Sequence, residues 1–286
     1  VKVSTTVAEA RWALDRVRRE GATVGLVPTM GYLHDGHLSL VRAARQATDF
    51  VVATIFVNPL QFAAGEDLDA YPRDPEGDRA KAEAAGVDLL FVPEHAEMYP
   101  DEILTSVSVA GLSASMEGAS RPTHFAGVAT VVAKLFAIAG PCRAYFGEKD
   151  FQQLAVVRRM AADLSFPVEV VGCPIVREPD GLALSSRNAY LSTEEREAAT
   201  VLHRALTAGV AAVRAGEQDP AAVCGLVGDI IDAEPLADRD YVAFVEPDTL
   251  APAEGPLVPG RVYRLLTAAR VGQPRLLDNV AVPVPT

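Results

Sequence analysis

Residues 23–41, TVGLVPTMGYLHDGHLSLV, constrain this chain more than any other stretch. They open as a short apolar strand, break at Pro28, pass a turn at Gly31, and set His34 and His37 about Gly36. Leu38, Val41 and Ala44 then fall at helical spacing, which predicts a helix running on from Leu38. A strand feeding a helix through a glycine-bearing turn is the unit of an open α/β sheet, and such sheets bind ligands at that junction. Unpaired N–H groups and the positive dipole end of the helix favour an anion there, phosphate above all. Two imidazoles at the same place add donors for charge that grows during a reaction. Strand–turn–helix junctions are also ubiquitous, and a histidine pair at one is often plain surface or a helix cap. The stretch matches neither GxxxxGK[ST] nor GxGxxG, which counts against a P-loop kinase and a dinucleotide dehydrogenase. No cysteine or further histidine stands nearby in the sequence to complete a tetrahedral zinc set.

The rest of the first half repeats the strand–helix alternation. Residues 7–20 have helical periodicity and precede the first strand in this reading. Residues 50–57, FVVATIFV, read as a strand buried on both faces. Asn58-Pro59 forces a turn at its end, which makes Asn58 and Gln61 candidate polar contacts for a hydroxylated substrate. Residues 63–77 read as a long polar loop of the kind that forms lids. A helix is predicted over 74–85 and strands over 87–92 and 104–109, followed by a buried helix over 124–139 with Arg121 and His124 at its start. Residues 143–146 form the next strand and lead into GEKDFQQL. There Gly147 permits close backbone approach, Lys149 places a cation at a strand end, and Asp150 can cap a helix over 151–164. A strand over 168–171 completes the series. This pattern predicts a Rossmann-like α/β fold, a mostly parallel sheet with helices on both faces, over residues 1–175.

Beyond Val176 the character changes. A turn at Pro179-Asp180-Gly181 precedes LSSRN, Leu184 to Asn188, where Ser185, Ser186 and Arg187 offer two hydroxyls and a forked cation to a polyphosphate. Ser192 and Glu195 form a capping box that predicts one long helix to about Ala215. A second helix is predicted over 221–233, then strands over 241–245, 263–271 and 277–282 with no helix between them. Residues 176–286 are therefore expected to form a smaller C-terminal α+β domain with an antiparallel sheet, able to close as a lid over a nucleotide.

A formal net charge of −12 works against a nucleic-acid partner, which needs clustered Lys and Arg. Cys142, Cys173 and Cys224 are odd in number and far apart, which fits a reducing cytosol rather than a disulfide framework. The opening residues lack the apolar core of a signal peptide, and the most apolar segment, 125–139, is interrupted by Lys134 and shorter than the ~20 residues that span a bilayer. A soluble, cytoplasmic chain without a membrane partner is expected.

Five segments in order, PTMGYLHDGH, FVNPLQF, RPTHFAGV, FGEKDFQQL and DGLALSSRN, resemble the pantoate–β-alanine ligase family, and the likeness extends to LLDN near the end. The first segment resembles a variant of the HxGH signature of nucleotidyl-transferring α/β enzymes. The resemblance implies condensation of pantoate with β-alanine through a pantoyl adenylate, with ATP as co-substrate and Mg²⁺ as cofactor, in a cytoplasmic homodimer. It implies that Met30, Gly31, Tyr32, Leu33, His34, Asp35, Gly36 and His37 lie along ATP, with His37 as proton donor beside His34 and Lys149. Gly147, Glu148, Lys149, Asp150, Val176, Leu184, Ser185, Ser186 and Arg187 would complete the nucleotide site, and Gln61 and Gln153 would hold pantoate. Asn58 is a further candidate substrate contact, and Arg121 and His124 are candidates for the β-alanine side. Asp78 and Asp150 are candidate metal contacts, more readily through water than directly. A nucleotidyltransferase that stops at the nucleotidyl product and a non-catalytic nucleotide sensor are the competing readings.

Overall fold

Runs of Val, Leu, Phe and Ala alternate with amphipathic segments through the first part of the chain, and each run becomes a strand of one sheet. The computed structural model describes every residue except Ala64 and Asp67. The loop expected over 63–77 includes those two positions, which lie outside the described residues. The chain divides into two compact units, one of Val1–Glu148 with Gln152–Pro174, the other of Lys149–Phe151 with Ile175–Thr286.

The first unit holds β1 (Lys2–Ser4), α1 (Val7–Arg19), β2 (Val24–Thr29), α2 (Asp35–Ala47), β3 (Phe50–Ile55), α3 (Pro75–Ala85) and β4 (Leu89–Phe91). It continues with the single turns α4 (His95–Met98) and α5 (Glu117–Ser120), then α6 (His124–Ala139), β5 (Cys142–Gly147), α7 (Phe151–Asp163), whose first residue Phe151 belongs to the second unit, and β6 (Val168–Cys173). The six strands run parallel in the order β1-β4-β3-β2-β5-β6. Alternation along the strands divides the core in two. Leu26, Val52, Leu89, Ala144 and Phe146 pack with Leu14, Phe136 and Met160 of α1, α6 and α7. Val27, Val51, Leu90 and Tyr145 pack with Val41 and Ala82 of α2 and α3. The chain leaves β2 toward β3 on one side and returns to β5 on the other, so the sheet's switch point lies between β2 and β5. Their carboxyl ends lead into Met30 and Glu148, where open sheets bind ligands.

The Rossmann-like fold expected from the alternation is the one observed, with four local differences. The first strand is β1, ahead of α1, paired with β4 through Lys2↔Leu89 to Ser4↔Phe91. The second helix begins at Asp35, three residues before the apolar face, because His34 caps it with an imidazole. Residues 104–109 form no strand. Leu104 is exposed, while Val107 and Val109 lie against the core, and Val107 N–H donates to Thr130 Oγ1 of α6 instead of a neighbouring strand. Packing on a helix produces the same alternation that strand pairing does.

The second unit carries α8 (Thr193–Ala198), α9 (Val201–Arg214), α10 (Pro220–Asp232) and the antiparallel sheet β7 (Ala237–Val245), β8 (Val262–Val271), β9 (Arg275–Pro283). Leu202, Leu206, Val223, Val227, Leu265 and Val282 form its core. Here is the fourth difference: the single helix expected to Ala215 is two. Thr200 Oγ1 donates to the Glu197 carbonyl at 2.7 Å and Thr200 N–H donates to the same carbonyl at 3.2 Å, so the turn tightens between α8 and α9. A threonine hydroxyl competing for helix carbonyls bends the ladder in this way.

One close approach fixes the unit that carries the histidines. Gly127 of α6 lies against the turn Pro59–Gln61, and a Cβ built there would overlap the Leu60 carbonyl and stand 2.6 Å from Gln61 N. The atoms it meets are backbone, which cannot swing aside. Gly127→Ala is expected to destabilise the fold by about 1–3 kcal/mol, read as a lower midpoint in urea unfolding with an unchanged slope.

Candidate active site

The turn after β2 is built from backbone that the main chain cannot satisfy alone. Gly31 and Tyr32 both take positive φ, +86° and +51°. Their conformation turns the N–H groups of Tyr32 and Leu33 toward Asp78, on the first turn of α3, whose carboxylate accepts them at 2.8 and 2.6 Å. Asp78 is 1% exposed. Gly31 N–H donates to Thr29 Oγ1 at 3.1 Å, and Lys81 Nζ donates to the Leu33 carbonyl at 2.8 Å.

That turn delivers His34 and His37 to the start of α2. Gly36 N–H donates to His34 Nδ1 at 3.1 Å and His34 N–H to His37 Nδ1 at 3.4 Å. A backbone N–H only donates, so each Nδ1 accepts and each neutral ring carries its proton on Nε2. The rings lie 4.0 Å apart, centre to centre, at 36°. The arrangement gives two imidazole donors beside a helix N-terminus, suited to an oxyanion that gains charge. Asp35 and Gly36 belong to the same first turn.

Gln61 is the second focus. It is 9% exposed, and its Nε2 donates to Met30 Sδ at 2.9 Å. Its Oε1 accepts from Asn58 Nδ2 at 3.3 Å. Asn58, fully buried, is held by two backbone groups of fixed polarity and a tyrosine hydroxyl. Its Nδ2 donates to the Gly127 carbonyl at 3.1 Å, and its Oδ1 accepts from Leu60 N–H at 3.4 Å and Tyr99 OH at 2.9 Å. Burial pushes the Tyr99 hydroxyl up to about 12, so it keeps the proton it donates to Asn58. The Gln61 carbonyl accepts from Arg121 Nη2 at 3.1 Å and lies 2.9 Å from His124 Nδ1. Arg121 also grips Glu66 at 2.8 and 2.5 Å. Burial raises the Glu66 carboxyl, but the Arg121 hydrogen bonds and charge outweigh it and hold the group below its ordinary range. Asn58 and Arg121 thus brace Gln61 from behind. Gln153 is half-buried on α7, while its neighbour Gln152 is 3% exposed and ties Leu112, Ser115 and Glu117 to that helix.

Gly147 closes β5 and Glu148 follows it in the first unit, both half-buried. In the second unit, Lys149 and Asp150 lie in a single turn before α7, with Nζ 3.4 Å from Asp150 Oδ1. The Val176 carbonyl accepts from Leu184 N–H at 3.0 Å, closing a hairpin that opens onto Ser185. Ser185 Oγ accepts from Arg187 N–H at 3.2 Å and caps the turn Ser186–Tyr190. Burial pushes the thiols of Cys142, Cys173 and Cys224 up, the first to about 12, so none is a ready nucleophile.

Sequence reasoning missed the part played by Asp78, expected beside a metal. Its place in the acidic stretch after Asp74-Pro75 pointed to magnesium, and no local pattern tied it to residues 32 and 33. Tyr99, Gln152 and Asn279 were also missed, because their roles depend on contacts between distant segments. Among the described residues no cluster of three or more His, Cys, Asp or Glu is arranged to hold a metal, and no helix is long and apolar enough to cross a membrane.

A parallel sheet with imidazoles at the helix start beside its switch point defines a Rossmann-like nucleotide-handling enzyme. Comparison narrows the class. A family profile described as "Pantoate-beta-alanine ligase" matches residues 2–281, and the chain belongs to that family. The protein named pantothenate synthetase from Roseiflexus sp. (strain RS-1) is 56% identical over 279 residues, 98% of each chain. Its namesake from Heliobacterium modesticaldum is 55% identical over 273 residues, 96% of each. The crystal structure of pantothenate synthetase from Thermus thermophilus superposes with a TM-score of 0.93 at 54% identity, covering 99% of this chain and 100% of that one. A pantoate–β-alanine ligase from Francisella tularensis, crystallised with a complex described as "Beta-gamma ATP and Beta-alanine", gives a TM-score of 0.79 at 29% identity, covering 98% and 97%. The chain is a ligase of pantothenate biosynthesis.

Two outcomes test this geometry. Asp78→Asn leaves one of two buried N–H groups facing an NH₂ and should cost about 1–3 kcal/mol, with faster amide exchange at Tyr32 and Leu33. Glu66 has a lowered folded pKa, so its contribution is present above the unfolded value of 4.5 and lost as pH falls through the folded one. The stability gap between wild type and Glu66→Gln should therefore be flat near neutrality and close on acidification in pH-resolved melts.

Proposed function

We propose that this enzyme joins (R)-pantoate to β-alanine in two steps. The pantoate carboxylate attacks the α-phosphorus of ATP, forming pantoyl adenylate and releasing pyrophosphate. The β-alanine amine then attacks the acyl carbon and releases AMP. The observation that carries this reading is the pair of histidines at the start of α2, each with its ring proton on Nε2. As pyrophosphate departs, negative charge collects on its bridging oxygen, and His37, with His34 and Lys149, supplies the donors. No covalent enzyme intermediate is needed, so catalysis rests on alignment and charge neutralisation.

Residues 30–37 lie along ATP in this reading, with Gly147, Glu148 and Asp150 at the nucleotide and Val176 and Leu184 beside it. Ser185, Ser186 and Arg187 meet its phosphates with hydroxyls and a guanidinium. Gln61 and Gln153 present neutral amides to the carboxylate and hydroxyls of pantoate, with Asn58 and Arg121 holding Gln61 in place. The ATP-like ligand and β-alanine described for the Francisella tularensis protein support both co-substrates.

Mg²⁺ accompanies the triphosphate and, when bound, neutralises part of its charge. Asp150, 45% exposed at its side chain, fits a contact through water. Asp78 is 1% exposed and takes a backbone N–H on each carboxylate oxygen, so Asp150 is the better of the two candidates. The enzyme acts in the cytoplasm as a homodimer in this reading, with the dimer checked by analytical ultracentrifugation.

Purified protein given ATP, Mg²⁺ and pantoate should release pyrophosphate in a single burst without β-alanine, and AMP only when the amine is supplied. AMP release without the amine, or a nucleotide turnover indifferent to pantoate, would overturn the reading. His37→Ala and Lys149→Ala should fold normally and lose about 10²–10³ in adenylation rate. Gln61→Ala should raise the KM for pantoate more than that for ATP in initial-rate measurements.

A further inference from the structure

Asp278 and Asn279, in the LLDN segment of β9, are polar yet only 3% and 2% exposed. They pair with Thr267 and Leu266 of β8 in register. Successive residues of a strand face opposite sides of the sheet, so this dipeptide serves both.

On one side Asp278 takes Arg177 through two bonds, at 2.6 and 2.8 Å. The same guanidinium donates to the carbonyls of Gly181 at 2.9 Å and Asn279 at 3.3 Å. Arg177 bridges Ala183 across a short hairpin closed by Glu178 N–H to the Leu182 carbonyl at 2.8 Å. Two residues past Ala183 the chain reaches Ser185. A second ion pair, Arg196 with Asp180 at 2.8 and 3.1 Å, ties down the hairpin tip. On the other side Asn279 Nδ2 donates to the Lys149 carbonyl at 2.9 Å. Arg264, on β8, stacks 3.9 Å from the centre of the Phe151 ring, so the segment 149–151 is fastened twice to the same sheet. Every one of these residues belongs to the second unit.

We propose that Asp278 and Asn279 are positioning residues for adenylation. Asn279 fixes the peptide from which Lys149 projects, and Asp278, through Arg177, fixes the hairpin that presents Ser185–Arg187. A lysine on a flexible four-carbon stem reaches a phosphate only as accurately as its backbone is placed, and a displacement of an ångström is costly in rate. A buried ion pair such as Arg177–Asp278 contributes defined geometry more than net stability. One dipeptide therefore sets the spacing between the ammonium and the hydroxyl–guanidinium group. The proposal rests on the reading of Lys149 and Ser185–Arg187 as phosphate-binding groups.

The test is rapid-quench measurement of pyrophosphate release with ATP, Mg²⁺ and pantoate, on Asn279→Ala, Asp278→Asn, Lys149→Ala and the double variant Asn279→Ala/Lys149→Ala, each checked by thermal melting. Asn279→Ala should be slower by about 10²-fold with an unchanged KM for pantoate, and the double variant no slower than Lys149→Ala alone. Asp278→Asn should raise the KM for ATP and leave that for pantoate unchanged. A wild-type rate for Asn279→Ala beside a slow Lys149→Ala overturns the proposal. So does a double variant slowed by both factors in full, which would mark Asn279 as merely structural. A wild-type rate for Lys149→Ala instead removes the phosphate reading, and this proposal with it. If Asn279→Ala fails to fold, Asn279→Ser, which keeps a polar group in the strand but is too short to reach Lys149, is read by the same criteria.

Discussion

Two consecutive backbone N–H groups in a left-handed turn find no carbonyl of their own, and Asp78 supplies the acceptor for both. The rest of the histidine site follows from that contact. Without the carboxylate, Tyr32 and Leu33 would bury unsatisfied donors, and the positive-φ turn would lose the compensation that offsets its strain. With it, the chain leaves β2, reverses at Gly31 and enters α2 in the orientation that lets the backbone satisfy Nδ1 of both histidines. The aspartate thus acts on the two histidines only through the main chain.

The same economy of contacts recurs around Gln61. Its side chain is held by Asn58, its carbonyl by Arg121, and the turn that carries it by the close approach of Gly127. A neighbour in the same turn and the distant 121–127 segment converge on one residue.

Much of this was legible in the sequence because it was local. Apolar runs separated by helical periodicity gave the parallel sheet, the span of α6 was readable from its composition, and Ser192 with Glu195 marked the start of α8. What escaped notice depends on distance or on an unusual group. His34 caps a helix in place of the usual hydroxyl or carboxylate, so α2 starts earlier than its apolar face. Residues 104–109 alternate like a strand but rest on α6. Thr200 breaks a helix that periodicity alone carries through. The acceptor for residues 32 and 33 stands at position 78, and the partner of the Lys149 carbonyl at 279; no local pattern links such pairs. The five segments that resemble the ligase family identified the chemistry, whereas the bracing of Gln61 needed coordinates.

The amide of Asn58 has a consequence for the polarity of Gln61. Its oxygen meets a peptide N–H and its nitrogen a peptide carbonyl, neither of which can reverse its role. Flipping it would set like against like on both flanks, so the polarity passes undiminished to Gln61, whose hydrogen-bearing end is the one turned toward the sulfur of Met30. Thioether sulfur is a weak acceptor that an oxygen readily outbids. An ammonium brought to this point would set hydrogen against hydrogen. The direction of the Gln61 amide is then inherited from the protein's interior, and reversing it would require rebuilding Asn58 together with the residue in front of it.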